Sequence, residues 1–451
     1  MRSPSPLLLA VFAGLLALLG AVPAARAVVP APSAAPSTNG AASVPLASRS
    51  LPSPMNATNT CASCHATLTD TKLRTPAKEY AHSAHRDDRI GCVGCHHGDP
   101  RDPTVGAHAK SMGFEPHPTH VEVPQICGGC HSDAAFIRRL NGRLPVGQAA
   151  LFTLSLHGKL TAAGDGVAPD CSTCHGKHDI QPPSSPLSPV NRTNVAKLCS
   201  GCHADKQKMA GYDIRTDQFE KWKKSVHGQA FAAGNPNAPT CTSCHGAHAS
   251  TPPDAASVAH ACGRCHETEM QLFEQSPHSQ GFRRRGLAAC VACHSNHDVA
   301  RASAIMVGTG PDATCMKCHN NDEKPRRVAD EISNLLRGAR ERAADARAAV
   351  ARATTAGLRV SGAPYSLDQV ATAETKVRSV VHTLDPARVQ AVVSDIESAA
   401  DETQRLVQSA ERNRRLERRG YYAALGLGAL LLLALSLKAM DLDRRRRQGG
   451  S

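Results

Sequence analysis

Eighteen cysteines and twenty-three histidines stand out in a chain of 451 residues, and the cysteines are not scattered. Each belongs to a Cys-x-x-Cys-His run: Cys61, Cys64 and His65; Cys92, Cys95 and His96; Cys127, Cys130 and His131; Cys171, Cys174 and His175; Cys199, Cys202 and His203; Cys241, Cys244 and His245; Cys262, Cys265 and His266; Cys290, Cys293 and His294; Cys315, Cys318 and His319. These nine runs leave no cysteine for a disulfide or a nucleophile. Paired thiols beside an imidazole can hold a soft metal, exchange disulfides, or capture a ligand covalently.

The spacing selects among these. Zinc ribbons use two Cys-x-x-Cys pairs per metal, so nine pairs would strand one, and nothing in a ribbon calls for a histidine after every pair. A thioredoxin-like redox pair needs a βαβ context, which the sequence lacks. Cys-x-x-Cys-His is the attachment signal for c-type haem. Two thiols three positions apart on one turn reach the two vinyl groups of a porphyrin, and the adjacent histidine meets the iron from one side. The expectation is nine covalently attached c-type haems, with the nine motif histidines as proximal ligands.

Each iron then wants a second axial ligand, and fourteen histidines remain: His82, His85, His97, His108, His117, His120, His157, His178, His227, His248, His260, His278, His297 and His382. Their placement repeats. His157 in "SLHG" and His227 in "SVHG" each precede a motif by fourteen residues, and His278 in "SPHS" precedes one by twelve. His178, His248 and His297 follow as "CHGKH", "CHGAH" and "CHSNH". A further motif closes each unit, which gives three diheme units at about 150–210, 222–270 and 273–322. Each unit supplies two histidines, one to a haem of its own and one to its own or a neighbour's. Upstream the pattern is looser: one of His82 and His85, one of His117 and His120, and His97 complete the set. The distal candidates are His85, His97, His120, His157, His178, His227, His248, His278 and His297. Met209 and Met270 read as packing residues, and His382 as a plain helix residue.

Segment 61–319, a little over half the chain, resembles the multihaem c-type cytochromes, notably the cytochrome c3-like proteins with doubled Cys-x-x-Cys-His motifs and the NrfB-like electron carriers. "CVGCHH" at Cys92–His97 looks like the c3 pattern in which the extra histidine ligates another haem. The resemblance implies an irregular, haem-filled fold with bis-histidine irons. Nine motifs exceed the four of a simple c3. The C-terminal apolar run departs from the NapC/NirT quinol oxidisers, whose anchor is N-terminal, so direct quinol oxidation by this chain is not implied.

The elements that must position these groups are unusual. Aromatic residues make up only 3% of the chain, with one Trp, thin material for an ordinary core. One motif falls about every 29 residues over 61–319, so cofactors should fill the interior and short helices should wrap them. The expected fold is mostly irregular with short α-helices around stacked c-type haems (56–322), then an α-helical bundle or stalk (323–420) and one transmembrane helix (421–440). In the stalk, Ile332, Leu335, Leu336, Ala339, Ala343, Ala346 and Val350 recur at helical spacing. Ser366 and Gln369 read as a capping box opening a second helix, and Asp385-Pro386 as the start of a third that runs on into the apolar segment.

Met1–Ala27 reads as a secretory signal peptide and 28–55 as a flexible linker. Tyr421 to Leu437 is long and apolar enough to approach a bilayer's width. Arg444 to Arg447 place the tail (441–451) in the cytoplasm, so the haem region is expected on the periplasmic side of a bacterial cytoplasmic membrane. The net charge of +13 is offset by haem propionates, which removes the case for nucleic acid. With a histidine available for every iron, the expected role is electron transfer and not catalysis. A membrane quinol-oxidising complex, a b-type cytochrome, is the expected donor, and a periplasmic or outer-membrane cytochrome the expected acceptor. The alternative is a multihaem reductase of nitrite, hydroxylamine or a sulfur oxyanion.

Overall fold

The structure is a computed structural model, and it describes residues 60–87 and 90–448. The expected signal peptide and linker lie outside the described residues. No strand occurs among the residues described. From 60 to 319 every helix is ten residues or shorter, and the motifs decide where the helices fall. Motif residues lie on the turns Thr60–Thr67, Val93–His96, Val123–His131, Cys171–His175, Val195–His203, Cys241–His245, Ala289–His294 and Met316–His319. The run from Cys262 to His266 leaves the end of the helix Val258–Gly263 and closes at His266, the N-cap of Glu267–Glu274.

Local capping sets these turns. The Asp170 carboxylate accepts from Thr173 N at 2.8 Å and starts Cys171–His175. Thr240 and Ser243 cap each other reciprocally ahead of Cys241. Such caps satisfy amide groups that a one-turn helix leaves unpaired. They fix the helix at the residue where the first cysteine must sit.

Among the described residues of 60–319 the buried apolar side chains, such as Phe136, Ile137, Val195 and Val258, are scattered and join no common cluster. Both clusters of buried apolar side chains lie on three long helices further on, Glu323–Thr355, Ala363–Val380 and Pro386–Gln448. The haem region adds only Ala304 and Val307 at their edge. Ile332, Leu336, Ala339, Ala343 and Ala346 face Val370, Ala373, Val377, Val389, Val393 and Ile396 in this bundle. The helices run up, down and up. Thr403 of the third donates to Ser366 of the second at 2.8 Å, and Asp401 of the third pairs with Arg342 of the first at 3.4 Å. Arg414 meets the Ala356 carbonyl at the far end.

The second helix does not open at Ser366. It starts at Ala363 behind Gly362, whose φ of 87° is left-handed, a conformation glycine adopts without strain. Ser366 is buried and serves the packing against Thr403. The third helix opens as Asp385-Pro386 suggested, with the Asp385 carboxylate accepting from Ala387 N at 2.9 Å. It continues unbroken for 63 residues through Tyr421–Leu437, where an apolar window of mean hydropathy 2.0 has none of its residues buried. That exposed apolar stretch is one helix long and apolar enough to cross a membrane.

Candidate haem-binding sites

Each of the nine motif histidines is faced by one further histidine. Ring centres lie 5.9 Å apart for His65 and His108, 6.1 Å for His131 and His85, and 6.1 Å for His96 and His178. The series continues at 5.9 Å for His203 and His157, 6.0 Å for His175 and His248, and 6.3 Å for His266 and His227. It closes at 5.9 Å for His245 and His297, 5.9 Å for His319 and His278, and 6.1 Å for His294 and His382. Imidazoles in direct contact would stack much closer. Two nitrogens each about 2 Å from one metal lie about 4 Å apart, and adding the ring radii puts the ring centres at about 6 Å. The spacing is that of two imidazoles on opposite sides of one iron.

The outer ring nitrogens agree. His65 Nδ1 lies 3.0 Å from the Leu73 carbonyl, His96 Nδ1 2.8 Å from the Glu115 carbonyl, and His382 Nδ1 2.9 Å from the Ser379 carbonyl. His319 Nδ1 lies 3.0 Å from the Asp322 carboxylate, and His178 Nδ1 3.5 Å from that of Glu79. A proton held at Nδ1 leaves Nε2 with its lone pair, the arrangement that orients metal-binding histidines. Burial pushes His131, His157, His175, His203, His227, His248, His278, His294 and His297 below the usual histidine range. These rings are therefore neutral near pH 7, the form that ligates. Each motif thus offers two thiols and an inward imidazole, opposed by a second imidazole. This donor set fits covalent haem c.

The pairing follows a rule. Ser83-Ala84-His85, Ser155-Leu156-His157, Ser225-Val226-His227 and Ser276-Pro277-His278 each start a helix, and each histidine faces the second motif of its own unit. Besides the three units of about 150–322, the described residues hold a fourth, because the stretch from Ser83 to His131 is built like the others. Ser155 Oγ accepts from Gly158 N at 2.9 Å and Ser225 Oγ from Gly228 N at 3.1 Å. The first motif of a unit is served from the next one: His178 reaches back to His96, His248 to His175, and His297 to His245.

Backbone bonds lock adjacent units at the same place. Ala84 N donates to Ile180 O at 2.8 Å, Leu156 N to Ser250 O at 3.4 Å, and Val226 N to Val299 O at 2.9 Å. Each acceptor lies two residues beyond the reaching histidine. Pro277 occupies the equivalent position in the last unit and has no N–H to give.

Seven of the nine distal candidates thus stand opposite a motif histidine: His85, His157, His178, His227, His248, His278 and His297. His97 and His120 do not, and His108 and His382 take their places. His97 directly follows His96 at the helix end, with φ at 59°, and its ring faces none of the motif histidines, each of which is opposed by another residue. His120 sits just before the helix carrying Cys127, where His131 is already faced by His85; its Nε2 is buried and unpartnered. His108 lies on the short 3-10 turn Val105–His108, and His382 on Val381–Thr383 between the second and third bundle helices. His382 is therefore not a plain helix residue.

Neighbouring motifs touch in chain order. Cysteines of adjacent motifs approach one another as Cys61 and Cys92, Cys127 and Cys171, Cys199 and Cys241, and Cys262 and Cys290. Within units, Cys95 lies close enough to feel Cys130, Cys174 to feel Cys202, and Cys293 to feel Cys315.

Residues 165–208 match the doubled CXXCH motif family. That stretch holds Cys171–His175, His178 and Cys199–His203. No curated protein and no solved structure matched the chain. The family match and the repeated motifs support a multihaem c-type cytochrome that binds haem covalently.

Proposed function

We propose that this protein is a nine-haem electron relay, held at the periplasmic face of the cytoplasmic membrane by its C-terminal helix. The observation that carries this reading is the set of facing histidines. Each motif histidine has an opposing imidazole, so the two would hold a bound iron between them, which supports a relay over a substrate-binding site. When bound, haem c supplies one-electron redox chemistry at an iron whose potential two imidazoles keep low. The protein's own part is positional. The cysteines would fix each site covalently, the turns capped by Ser155 and Ser225 aim His157 and His227, and Nδ1 contacts hold His178 and His382 in the ligating tautomer. The contacts from Cys61 through Cys290 and on to Cys315 support single-electron passage in chain order.

The expected donor is a membrane quinol-oxidising partner, a b-type cytochrome, and the expected acceptor a periplasmic or outer-membrane cytochrome. The third bundle helix constrains that donor. From Pro386 to Tyr421 it rises about 50 Å at 1.5 Å per residue, so the bundle end against the haem region lies that far along it from the apolar segment. A donor that hands electrons over at that end must itself project well above the membrane.

The test is the purified full-length protein reduced with and without carbon monoxide, then offered quinol in membranes with and without the partner captured through its tail. The reading expects no carbon monoxide shift and haem reduction by quinol only with the partner. Carbon monoxide binding, or turnover of nitrite or hydroxylamine at enzymatic rates by the protein alone, would replace the relay with a reductase.

A further inference from the structure

We infer that the stalk completes a haem site: His382 is the second axial ligand of the haem held by Cys290, Cys293 and His294. This rests on the haem-relay reading, and four observations lead to it. The repeat creates a vacancy that His382 fills. In the first three units the first motif histidine is faced by the histidine three residues beyond a motif in the following unit. The unit containing His294 is the last, and the residues after its closing His319 are Asn320, Asn321 and Asp322. Residues 320–451 hold no Cys-x-x-Cys-His run with such a histidine. The ring opposite His294, at 6.1 Å, comes instead from the bundle.

The orientation of His382 is that of a ligand. Its Nδ1 lies 2.9 Å from the Ser379 carbonyl, so the proton sits there and Nε2 is left for a metal. The turn that carries it is also tightly built. Thr383 is buried and donates to the Val380 carbonyl at 2.7 Å. Leu384 follows with φ at 54°, a left-handed conformation uncommon for residues other than glycine and held only where the surroundings require it.

Contacts on both sides of His382 dock this turn on the haem region. Ser379 Oγ donates to Glu269 Oε1 at 2.6 Å, and Arg388 Nη1 donates to Gln275 Oε1 at 2.8 Å. The other Glu269 oxygen lies 4.0 Å from His266 Nδ1, the ring facing His227. One carboxylate therefore touches the stalk and the neighbouring site together. The bundle is then part of the redox domain, and the Cys290 site is complete only while the bundle is docked.

The experiment compares the full-length parent with His382→Ala and His382→Met, after intact mass has established that all three carry the same number of haems. The expected result for His382→Ala is one more carbon monoxide-binding, high-spin haem than in the parent, restored to low spin by added imidazole. His382→Met should keep that haem low-spin and raise its potential, because a thioether ligand favours the reduced iron. If His382→Ala matches the parent in carbon monoxide binding and spin state, the stalk is not a ligand donor. A parent inert to carbon monoxide would leave the relay standing in that case. Should His382→Ala lose haem, the Met variant decides alone: an unchanged redox titration overturns the assignment.

Discussion

Gly228 gives the sharpest local test of how the distal imidazoles are held. Ser225, Val226, His227 and Gly228 start a helix that doubles back on the one before it. Ser225 Oγ accepts from Gly228 N at 3.1 Å and donates to the Trp222 carbonyl at 2.6 Å. A Cβ added at Gly228 would stand 2.0 Å from Trp222 O and 2.8 Å from both Trp222 C and Lys223 Cα. All three are backbone atoms, so no side chain can rotate away. Ordinary contact begins at 3.4 Å, so the turn must open by about 1.4 Å. Overpacking of this kind costs about 1–3 kcal/mol, and loss of the Ser225 cap adds about 1 kcal/mol.

His227 lies inside that turn, and a metal–imidazole bond of about 2 Å cannot stretch by a comparable distance. Gly228→Ala should therefore disturb one haem, that of His266, without changing the number attached. The assay is carbon monoxide difference absorbance and ferric spin state, with intact mass as the haem count. Gly158→Ala should do the same at the His203 site, since its Cβ would stand 2.0 Å from the Phe152 carbonyl. Gly201→Ala is the control: it lies inside a motif, yet its Cβ would have nothing within 4 Å. If Gly228→Ala and Gly201→Ala behave alike, the backbone does not fix His227 as argued.

Three further outcomes follow from the bundle and its extension. Ile396 is fully buried among Val370, Val389 and Val393, so Ile396→Ala should lower bundle stability by about 2–5 kcal/mol. Denaturant titration of the helical signal measures this, and a loss under about 1 kcal/mol would contradict the packing. Arg347 makes a two-armed pair with Glu374 at 3.1 and 2.5 Å, but the arginine is 45% exposed. Arg347→Met should cost under about 1 kcal/mol, and the difference should shrink in high salt; a large, salt-independent loss would refute the exposed-pair account. Removing residues from Tyr421 onward should yield a soluble, fully haem-loaded protein, because no part of the apolar window is buried in the fold. Membrane retention of that truncation would show a second point of attachment.

Some of this was readable from local spacing. Cysteine runs five residues long specify their own cofactor, because both thiols and the proximal imidazole lie within one turn of chain. The bundle was readable because apolar residues three and four apart must share a face, and Asp385-Pro386 because an N-cap and a ring-fixed φ act over two residues. Ser83-Ala84-His85 carries the same Ser-x-His signature as the later units, so the fourth unit was legible in principle. The adjacent His82 and His97 masked it.

The sequence by itself thus determined the motif pattern that points to c-type haem, the helical stalk and the apolar run, all of which depend on residues that are near neighbours in the chain. Only the tertiary structure decided which imidazole faces which. His108 lies 43 residues from His65 and His382 lies 88 from His294, and no period or cap links such positions. Ligand partners across a site are brought together by the path of the whole chain, through unit-to-unit backbone bonds and the docking of the bundle at Glu269 and Gln275. His97 and His120 lost their places for the same reason. Closeness to a motif does not decide the role: His178, His248 and His297 lie three residues beyond one motif yet face the imidazole of a distant one.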